Sequence, residues 1–268
     1  MNKDNSPNPG RKTVSKAMQI LHAFTNDEPE LSLTVISARL GMHKSIVSRL
    51  ITSLCEWRML ERNPDTKHIR LGMGVLLLGM QVANQNTLHR LALPHLGKLV
   101  EKTRHSAHVS ILDNEEMLVI ATVQSPEALR VILQLGDKRP LHATAGGKVI
   151  LANLTEAKML TLINEKRLVK LTNTTITSMK DLMSELDAIR LSGISWNDGE
   201  SVLGVGAVAS GVFDASGSII GAVSSVFPLN TATKTQSSDI AEEVFKTANE
   251  LSVALGWKKS AQIKKVDK

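Results

Sequence analysis

Apolar residues recur at helical spacing near the start of the chain, with Ala17, Ile20, Leu21 and Phe24 on one helix face. Asn26-Asp27-Glu28-Pro29 is a run of turn residues that closes this helix. Ser32 is placed to cap a second helix, lined by Leu33, Ile36 and Leu40. Gly41 follows, where a tight turn needs positive φ. The third helix carries two stripes of matched spacing. Val47, Leu50, Ile51 and Leu54 are apolar; Ser45, Ser48, Arg49 and Thr52 are polar. Residues 59–62 and 68–71 then read as two strands of a hairpin, turned by Asn63-Pro64-Asp65-Thr66-Lys67. Two short helices, a glycine turn, an amphipathic third helix and a hairpin make a winged helix-turn-helix.

Residues 74–86 are apolar, with Val75, Leu76, Leu78 and Val82. Beyond them the periods mix. Residues 91–103 read as a helix, 107–112 and 117–123 as strands around Asp113-Asn114-Glu115, and 129–135 as another strand. Ile150, Leu154, Met159 and Leu162 fall in helical segments, as do Leu182, Leu186 and Ile189. Residues 207–213 and 219–226 pair across Asp214-Ala215-Ser216-Gly217, and 236–255 form an amphipathic helix. A mostly antiparallel sheet with helices packed on it is an α+β layout.

Charge sharpens this picture. Residues 1–71 hold 11 Lys/Arg against 7 Asp/Glu, residues 72–257 hold 16 against 18, and residues 258–268 hold 5 against 1. Both ends are basic and the middle is not. A basic N-terminal module suits phosphate contact, whose affinity comes from releasing condensed counterions; a solvated surface and a solubilising tail would give the same balance. Residues 1–12, rich in Asn, Pro, Lys and Gly, read as disordered. No apolar run reaches the roughly 18 residues of a membrane span, and the polar start carries no secretory signal. The chain therefore reads as cytoplasmic, with no membrane partner. The single cysteine, Cys55, excludes an internal disulfide and a zinc finger, and its helical pattern reads as a buried structural thiol. Aromatics are 3% and tyrosine is absent, which argues against a base-stacking platform for single strands.

The third helix has the chemistry of a duplex reader. Short hydroxyl side chains let it sit deep in the major groove, where Arg49 pairs with guanine or holds a phosphate. Lys44 adds charge at the helix start, where backbone N–H groups already favour phosphate. The hairpin offers Arg62, Lys67, His68 and Arg70 to the DNA backbone or minor groove. One such module buries little surface, so a two-fold pair reading a palindrome is expected.

Small residues at Ala145, Gly146 and Gly147 precede a helical run, so a ligand could approach the backbone there, and N–H groups at a helix start favour a carboxylate. A turn with a packing role is the alternative. The Walker spacing is missing, and Val149 follows Lys148. Gly204-Val-Gly-Ala-Val-Ala209 is no dinucleotide fingerprint, because a strand pattern follows it where a helix is needed. His105 and His108 sit three apart, but on strand their rings would diverge, so no metal or other cofactor is expected.

Residues 31–50, Leu-Ser-Leu-Thr-Val-Ile-Ser-Ala-Arg-Leu-Gly-Met-His-Lys-Ser-Ile-Val-Ser-Arg-Leu, resemble the DNA-binding domain of the IclR family of bacterial regulators. The match continues through the wing to Leu71-Gly72 and covers nearly all of residues 13–257. His43 stands where the family usually has a small cap, Ser48 where it often has an aromatic or His, and Arg58 where it has glycine. His43 and Ser48 therefore suggest an operator particular to this chain. The resemblance implies a winged helix over 13–73, a dimerising linker helix over 74–87, and a GAF-like effector and oligomerisation domain over 88–257, ahead of the basic tail 258–268. A homodimer or homotetramer on a double-stranded operator is expected, either repressing or activating.

The resemblance also implies effector-binding positions. His142-Ala-Thr-Ala-Gly-Gly-Lys148 matches the family's Thr-Ala-x-Gly-Lys motif. In the second ligand segment Asn197 stands at the first acidic position, Asp198, Glu200 and Gly204 are kept, and Gly206 and Ala207 replace an arginine and a cysteine. Ser224 keeps the family's first serine, while Val226 replaces the second. The expected occupant is a small-molecule carboxylate less polar, or differently shaped, than glyoxylate-like acids. An enzyme and an architectural DNA-binding protein are the competing readings. The chain lacks a Gly-x-Ser-x-Gly elbow and a zincin motif, and a folded, nearly neutral second domain suits an architectural protein poorly.

Overall fold

The computed structural model describes residues 9–231 and 234–258 of the chain. It divides into two compact units, residues 1–85 and 86–268. Residues 1–8 of the expected disordered start, and all of the expected basic tail after Lys258, lie outside the described residues.

The first unit runs α1 (Pro9–Leu21), β1 (Glu30–Leu31), α2 (Leu33–Leu40), α3 (Lys44–Glu56), β2 (Leu60–Arg62), β3 (Ile69–Leu71) and α4 (Met73–Gln85). Residues 9–12 are helical, not disordered: Pro9 suits a first turn, where its missing N–H is not needed. α1 ends at Leu21, so Phe24 reaches the core from the segment that follows the helix. Ser32 Oγ accepts from the Val35 N–H at 3.2 Å, and Gly41 closes α2 with φ 61°. Ile20, Ile36, Val47, Ile51, Leu60 and Ile69 form one buried core. β2 and β3 pair antiparallel as the hairpin pattern requires, and β1 joins β3 on its other side. A two-residue strand has no periodicity to announce it. Cys55 is half-buried, not enclosed, and its partial burial pushes the thiol pKa up. α4 is a helix over Met73–Gln85, where a linker helix is expected over 74–87, and none of its side chains is buried within the chain.

α3 is closed by Arg58, whose φ of 57° lies in the left-handed region that favours glycine. Arg58→Gly should therefore raise the unfolding free energy of this unit by about 1 kcal/mol. The denaturant midpoint would move up; an unchanged or lower midpoint would show that the Arg58 side chain compensates for its backbone.

The second unit runs α5 (Thr87–Thr103), β4 (Ser106–Asp113), β5 (Glu116–Val123), β6 (Lys138–Pro140), α6 (Ala145–Ala152), α7 (Glu156–Leu162), α8 (Met179–Ser192), β7 (Ile194–Asp198), β8 (Val205–Phe213), β9 (Ile219–Pro228) and α9 (Lys234–Ala254). The six strands form one sheet in the order β6-β5-β4-β9-β8-β7, every pair antiparallel. Alternation divides the strands between two cores. Ala107, Val109, Val208, Val223 and Phe227 share a core with α5 and α9. Ala207, Ala209, Ala222 and Val226 share the other with α6 and α8. His108, Ser110 and Ser224 take the second set of alternate positions, toward α6.

The α+β class is as expected, but residues 129–135 are not a strand. Side chains take the backbone groups a ladder would use: Ser106 Oγ donates to the Val131 carbonyl at 2.7 Å, and Gln124 Nε2 to that of Leu133 at 2.8 Å. Val131, Ile132 and Leu133 line a cavity instead, while Leu129 and Leu135 are exposed. The edge strand in this part of the chain is β6.

Candidate DNA face and ligand cavity

The apolar stripe of α3 is buried and its polar stripe faces outward. Val47, Leu50 and Ile51 are in the core, while Lys44, Ser45, Arg49 and Thr52 are exposed and Ser48 is partly so. His43 caps the helix: its Nδ1 lies 2.8 Å from Ser45 Oγ and accepts from the Ser45 N–H at 3.4 Å. An imidazole thus serves where a small cap residue was expected, and its ring is held at the end of α3 that meets DNA in helix-turn-helix proteins. Thr52 Oγ1 donates back to the Ser48 carbonyl at 3.1 Å. Lys44, Arg49 and Arg62 are exposed and form no ion pair with the described residues.

Two wing residues are more committed than the sequence suggested. Arg70 is tied to Glu61 at 2.5 Å and to Glu30 at 3.3 Å across the three-stranded sheet. Lys67 has φ 58° and folds its ammonium onto the Pro64 carbonyl at 2.6 Å. Arg70 would have to give up carboxylate partners to reach a phosphate; Arg62 would not.

The second unit holds a cavity of about 240 Å³ on the α6 side of its sheet. Ala145 and Gly146 bring the start of α6 to it, Val131, Ile132 and Leu133 cover one side, and Ser201, Val202 and Val205 another. Ala207, Ser224 and Val226 line it from the sheet, with Asn197, His108 and Arg139. Of the expected effector residues, Ala145, Gly146, Asn197, Ala207, Ser224 and Val226 therefore meet at one place.

Three others do not line it. Gly147 is a packing glycine: a Cβ there would stand 2.3 Å from the Leu141 carbonyl oxygen. Lys148 is 1% exposed and turned inward, with Nζ 2.7 Å from Glu200 Oε1 and 3.0 Å from Glu185 Oε1. It is an internal counter-ion, so a ligand carboxylate in the cavity is not its partner. Asp198 points to the opposite side of β7 from Asn197 and is exposed, beside a groove against α9. Asn197 lines the cavity, but its amide is spent on the fold. Nδ2 donates to the Ala143 carbonyl at 2.6 Å, and Oδ1 accepts from the Glu200 N–H at 3.1 Å. It staples the loop after β7 to the approach to α6.

Sequence reasoning missed His108 and Arg139 as cavity residues. His108 is opposite Ser224 across β4 and β9 and opposite Thr122 across β4 and β5. His108 Nδ1, Ser110 Oγ, Thr122 Oγ1 and Ser224 Oγ are buried without a hydrogen-bond partner. Burial pushes the His108 pKa down to about 4, so the ring is neutral at physiological pH. The available signal was His108 and Ser110, polar positions alternating with Ala107, Val109 and Ile111 in β4. No cluster of ligating side chains that could hold a metal occurs among the described residues.

A winged helix with an uncommitted basic face on α3, joined in one chain to a sheet domain with a polar-floored cavity, is the architecture of a DNA-binding regulator. The family model for the IclR helix-turn-helix domain matches residues 13–64, and that for the bacterial transcriptional regulator IclR C-terminal domain matches residues 80–253. The chain belongs to the IclR family of bacterial transcriptional regulators. It is similar to the HTH-type transcriptional regulator XynR of Escherichia coli, 30% identical over 246 residues that cover 92% of this chain and 98% of that one. The transcriptional repressor IclR of E. coli is 25% identical over 247 residues, 91% of this chain and 90% of that one. Among solved structures, a transcriptional regulator from Rhodococcus sp. RHA1 has a TM-score of 0.82 at 25% identity, covering 91% of this chain and 98% of that one. An IclR homologue from Microbacterium hydrocarbonoxydans, complexed with 4-hydroxybenzoate, has the same fold, with a TM-score of 0.80 at 22% identity over 91% and 98% of the chains.

Proposed function

We propose that the chain binds a two-fold duplex operator as a homodimer or homotetramer, and that a small organic acid in the cavity sets its operator affinity. The observation that carries this reading is the face of α3: exposed Lys44, Ser45, Arg49 and Thr52, backed by a buried apolar stripe. His43 and Ser48 would set its base preference, with Arg62 on a flanking phosphate; Lys67 and Arg70 would join it only by releasing Pro64 and the carboxylates of Glu30 and Glu61. α4 supports self-association, because Leu76, Leu77, Leu78 and Met80 are each about half exposed and Val82 is 66% exposed. An organic acid suits the start of α6 and the one cation of the cavity lining, and the Microbacterium relative was solved with such an acid.

The cavity reads as a binding site and not a catalytic one. No carboxylate lines it, so His108 has no acidic group there to orient it as a base for Ser224. Among the described residues no helix is long and apolar enough to cross a membrane, and the proposed place of action is the cytoplasm, where bacterial DNA lies.

The test is a mobility shift on DNA upstream of the protein's own gene, with excess non-specific competitor. Wild type should be retained specifically, and Arg49→Ala should lose roughly tenfold or more in affinity, as expected for loss of a guanine or phosphate contact. Light scattering on the same samples should give at least a dimer. Binding indifferent to DNA sequence, or untouched by Arg49→Ala, would sink the reading.

A further inference from the structure

The His43 cap fixes more than the start of α3. A backbone N–H only donates, so the ring nitrogen that accepts from the Ser45 N–H at 3.4 Å carries no proton. That nitrogen is Nδ1. The same Nδ1 lies 2.8 Å from Ser45 Oγ, so the Ser45 hydroxyl is the donor in that bond too. The ring proton therefore sits on Nε2. The one hydrogen of the Ser45 hydroxyl is spent on His43, and Ser45 Oγ has only lone pairs left to offer.

The backbone beneath the ring is held as well. Ser37 of α2, 6% exposed, donates from Oγ to the Met42 carbonyl, and the Met42 N–H donates to the Ser37 carbonyl at 3.0 Å. The His43 carbonyl accepts from the N–H groups of Ile46 at 3.0 Å and Val47 at 3.2 Å. His43 and Ser45 are both exposed, and Nε2 makes no hydrogen bond with the described residues. Groups held in place before binding lose little freedom on contact, so their polarity selects the partner.

Base edges in the major groove differ in what they offer to such a pair. Guanine presents two acceptors, thymine an acceptor and a methyl, adenine an acceptor and the N6 amine, cytosine the N4 amine. Nε2–H needs an acceptor. Ser45 Oγ needs a donor, which only the adenine or cytosine amine supplies. Against guanine O6 or thymine O4 it would set lone pair against lone pair, unless its hydroxyl left His43 and opened the cap. Every base pair carries one such amine, so the pair reads the strand on which the amine lies: A·T against T·A, C·G against G·C.

We infer that His43 and Ser45 read duplex DNA as one unit of fixed polarity. His43 Nε2–H donates to an acceptor in the major groove, and Ser45 Oγ accepts from the exocyclic amine of an adenine or cytosine. This rests on α3 being the DNA-reading helix. His43 is thus a positioning residue for Ser45 as well as a contact of its own. A small cap at this position would hold the helix but leave the Ser45 hydroxyl free to turn.

The test starts with selection of a site from a randomised duplex library by the full wild-type chain. Each base pair of that site is then reversed in turn and binding measured by mobility shift. One position in each half-site should cost wild type roughly threefold to tenfold on reversal, the scale of one hydrogen bond made or stranded. His43→Ser keeps a capping oxygen, so it is expected to fold, and circular dichroism checks this. It should lose the penalty at that position and keep the penalties elsewhere. Ser45→Ala should lose it at the same position, and the double variant should lose no more than either single one, because the two act as a unit. NMR of nitrogen-labelled histidine rings reads the tautomer directly: the ring signals missing from His43→Ser should show the proton on Nε2. An unchanged reversal penalty in His43→Ser, additive losses in the double variant, or a proton on Nδ1 would overturn this inference and leave the operator reading intact. Recovery of no common site by wild type would overturn both.

Discussion

Lys148→Met should lower the unfolding free energy of the second unit by about 3–5 kcal/mol, the usual cost of stranding a buried charge. Glu200 is 6% exposed, and its Oε2 already lacks a partner. Without Lys148 the burial would remain and the compensation would go. The pH dependence identifies the cause. The Glu200 carboxyl is held above its ordinary value of 4.5, because burial outweighs the attraction of Lys148. A carboxyl whose pKa is raised by folding favours the folded state most when it is protonated. That contribution is full below the unfolded pKa and is lost as pH rises through the folded one. Removing the ammonium lifts the folded pKa further. The deficit of Lys148→Met should therefore be largest at neutral pH and shrink as pH falls toward about 5. Glu200→Gln in the same chain should recover part of it at neutral pH. Denaturant titrations at the two pH values measure both effects. A deficit that ignored pH and Glu200→Gln would mean that lost packing, not a stranded carboxylate, is the cause.

Gly147→Ala should cost about 3 kcal/mol, the upper end for forcing atoms into a packed site. The new Cβ would meet backbone on one side, 2.3 Å from the Leu141 carbonyl oxygen and 2.6 Å from its Cα. It would also press on Thr144 Oγ1, which caps α6 by accepting from the Gly147 N–H at 3.1 Å. The Leu141 backbone cannot move away without opening the turn before α6, and Thr144 Oγ1 can rotate away only by giving up the cap. Gly146→Ala is the matched control. Its Cβ would meet side-chain atoms of Ser110, Met117 and Ser224, which can turn. A thermal melt should show the large drop for Gly147→Ala alone. Equal drops would place both glycines in the same role.

Both predictions concern a motif whose residue types were legible but whose duties were not. Small residues before a helix suggest close approach by something, and the sequence does not say whether that is a ligand or the chain itself. Gly146 meets the cavity; Gly147, next to it, meets Leu141. A lysine beside a candidate ligand loop reads as an anion holder until the fold brings Glu185 and Glu200, 37 and 52 residues away, onto its ammonium. The same reasoning applies to the wing, where Arg70 looked free until β1 placed Glu30 beside it.

The sequence by itself determined the elements with strong local signals. The α3 stripes, the Ser32 cap, the Gly41 turn and the β8–β9 hairpin each depend on neighbours within a few residues, so period and turn chemistry specify them. The exposed polar stripe of α3, the proposed DNA-reading face, was legible for that reason: it lies on one helix, and its spacing is the helix's own. Only the tertiary structure decided the cavity. His108 and Ser224 are 116 positions apart in the chain and meet because β4 and β9 are neighbours in the sheet. Residues 129–135 keep strand-like alternation but cover the cavity, because Ser106 and Gln124 take the carbonyls a ladder would use. Local periodicity fixes which face a side chain takes. What that face meets depends on strand order, which no short stretch of sequence encodes.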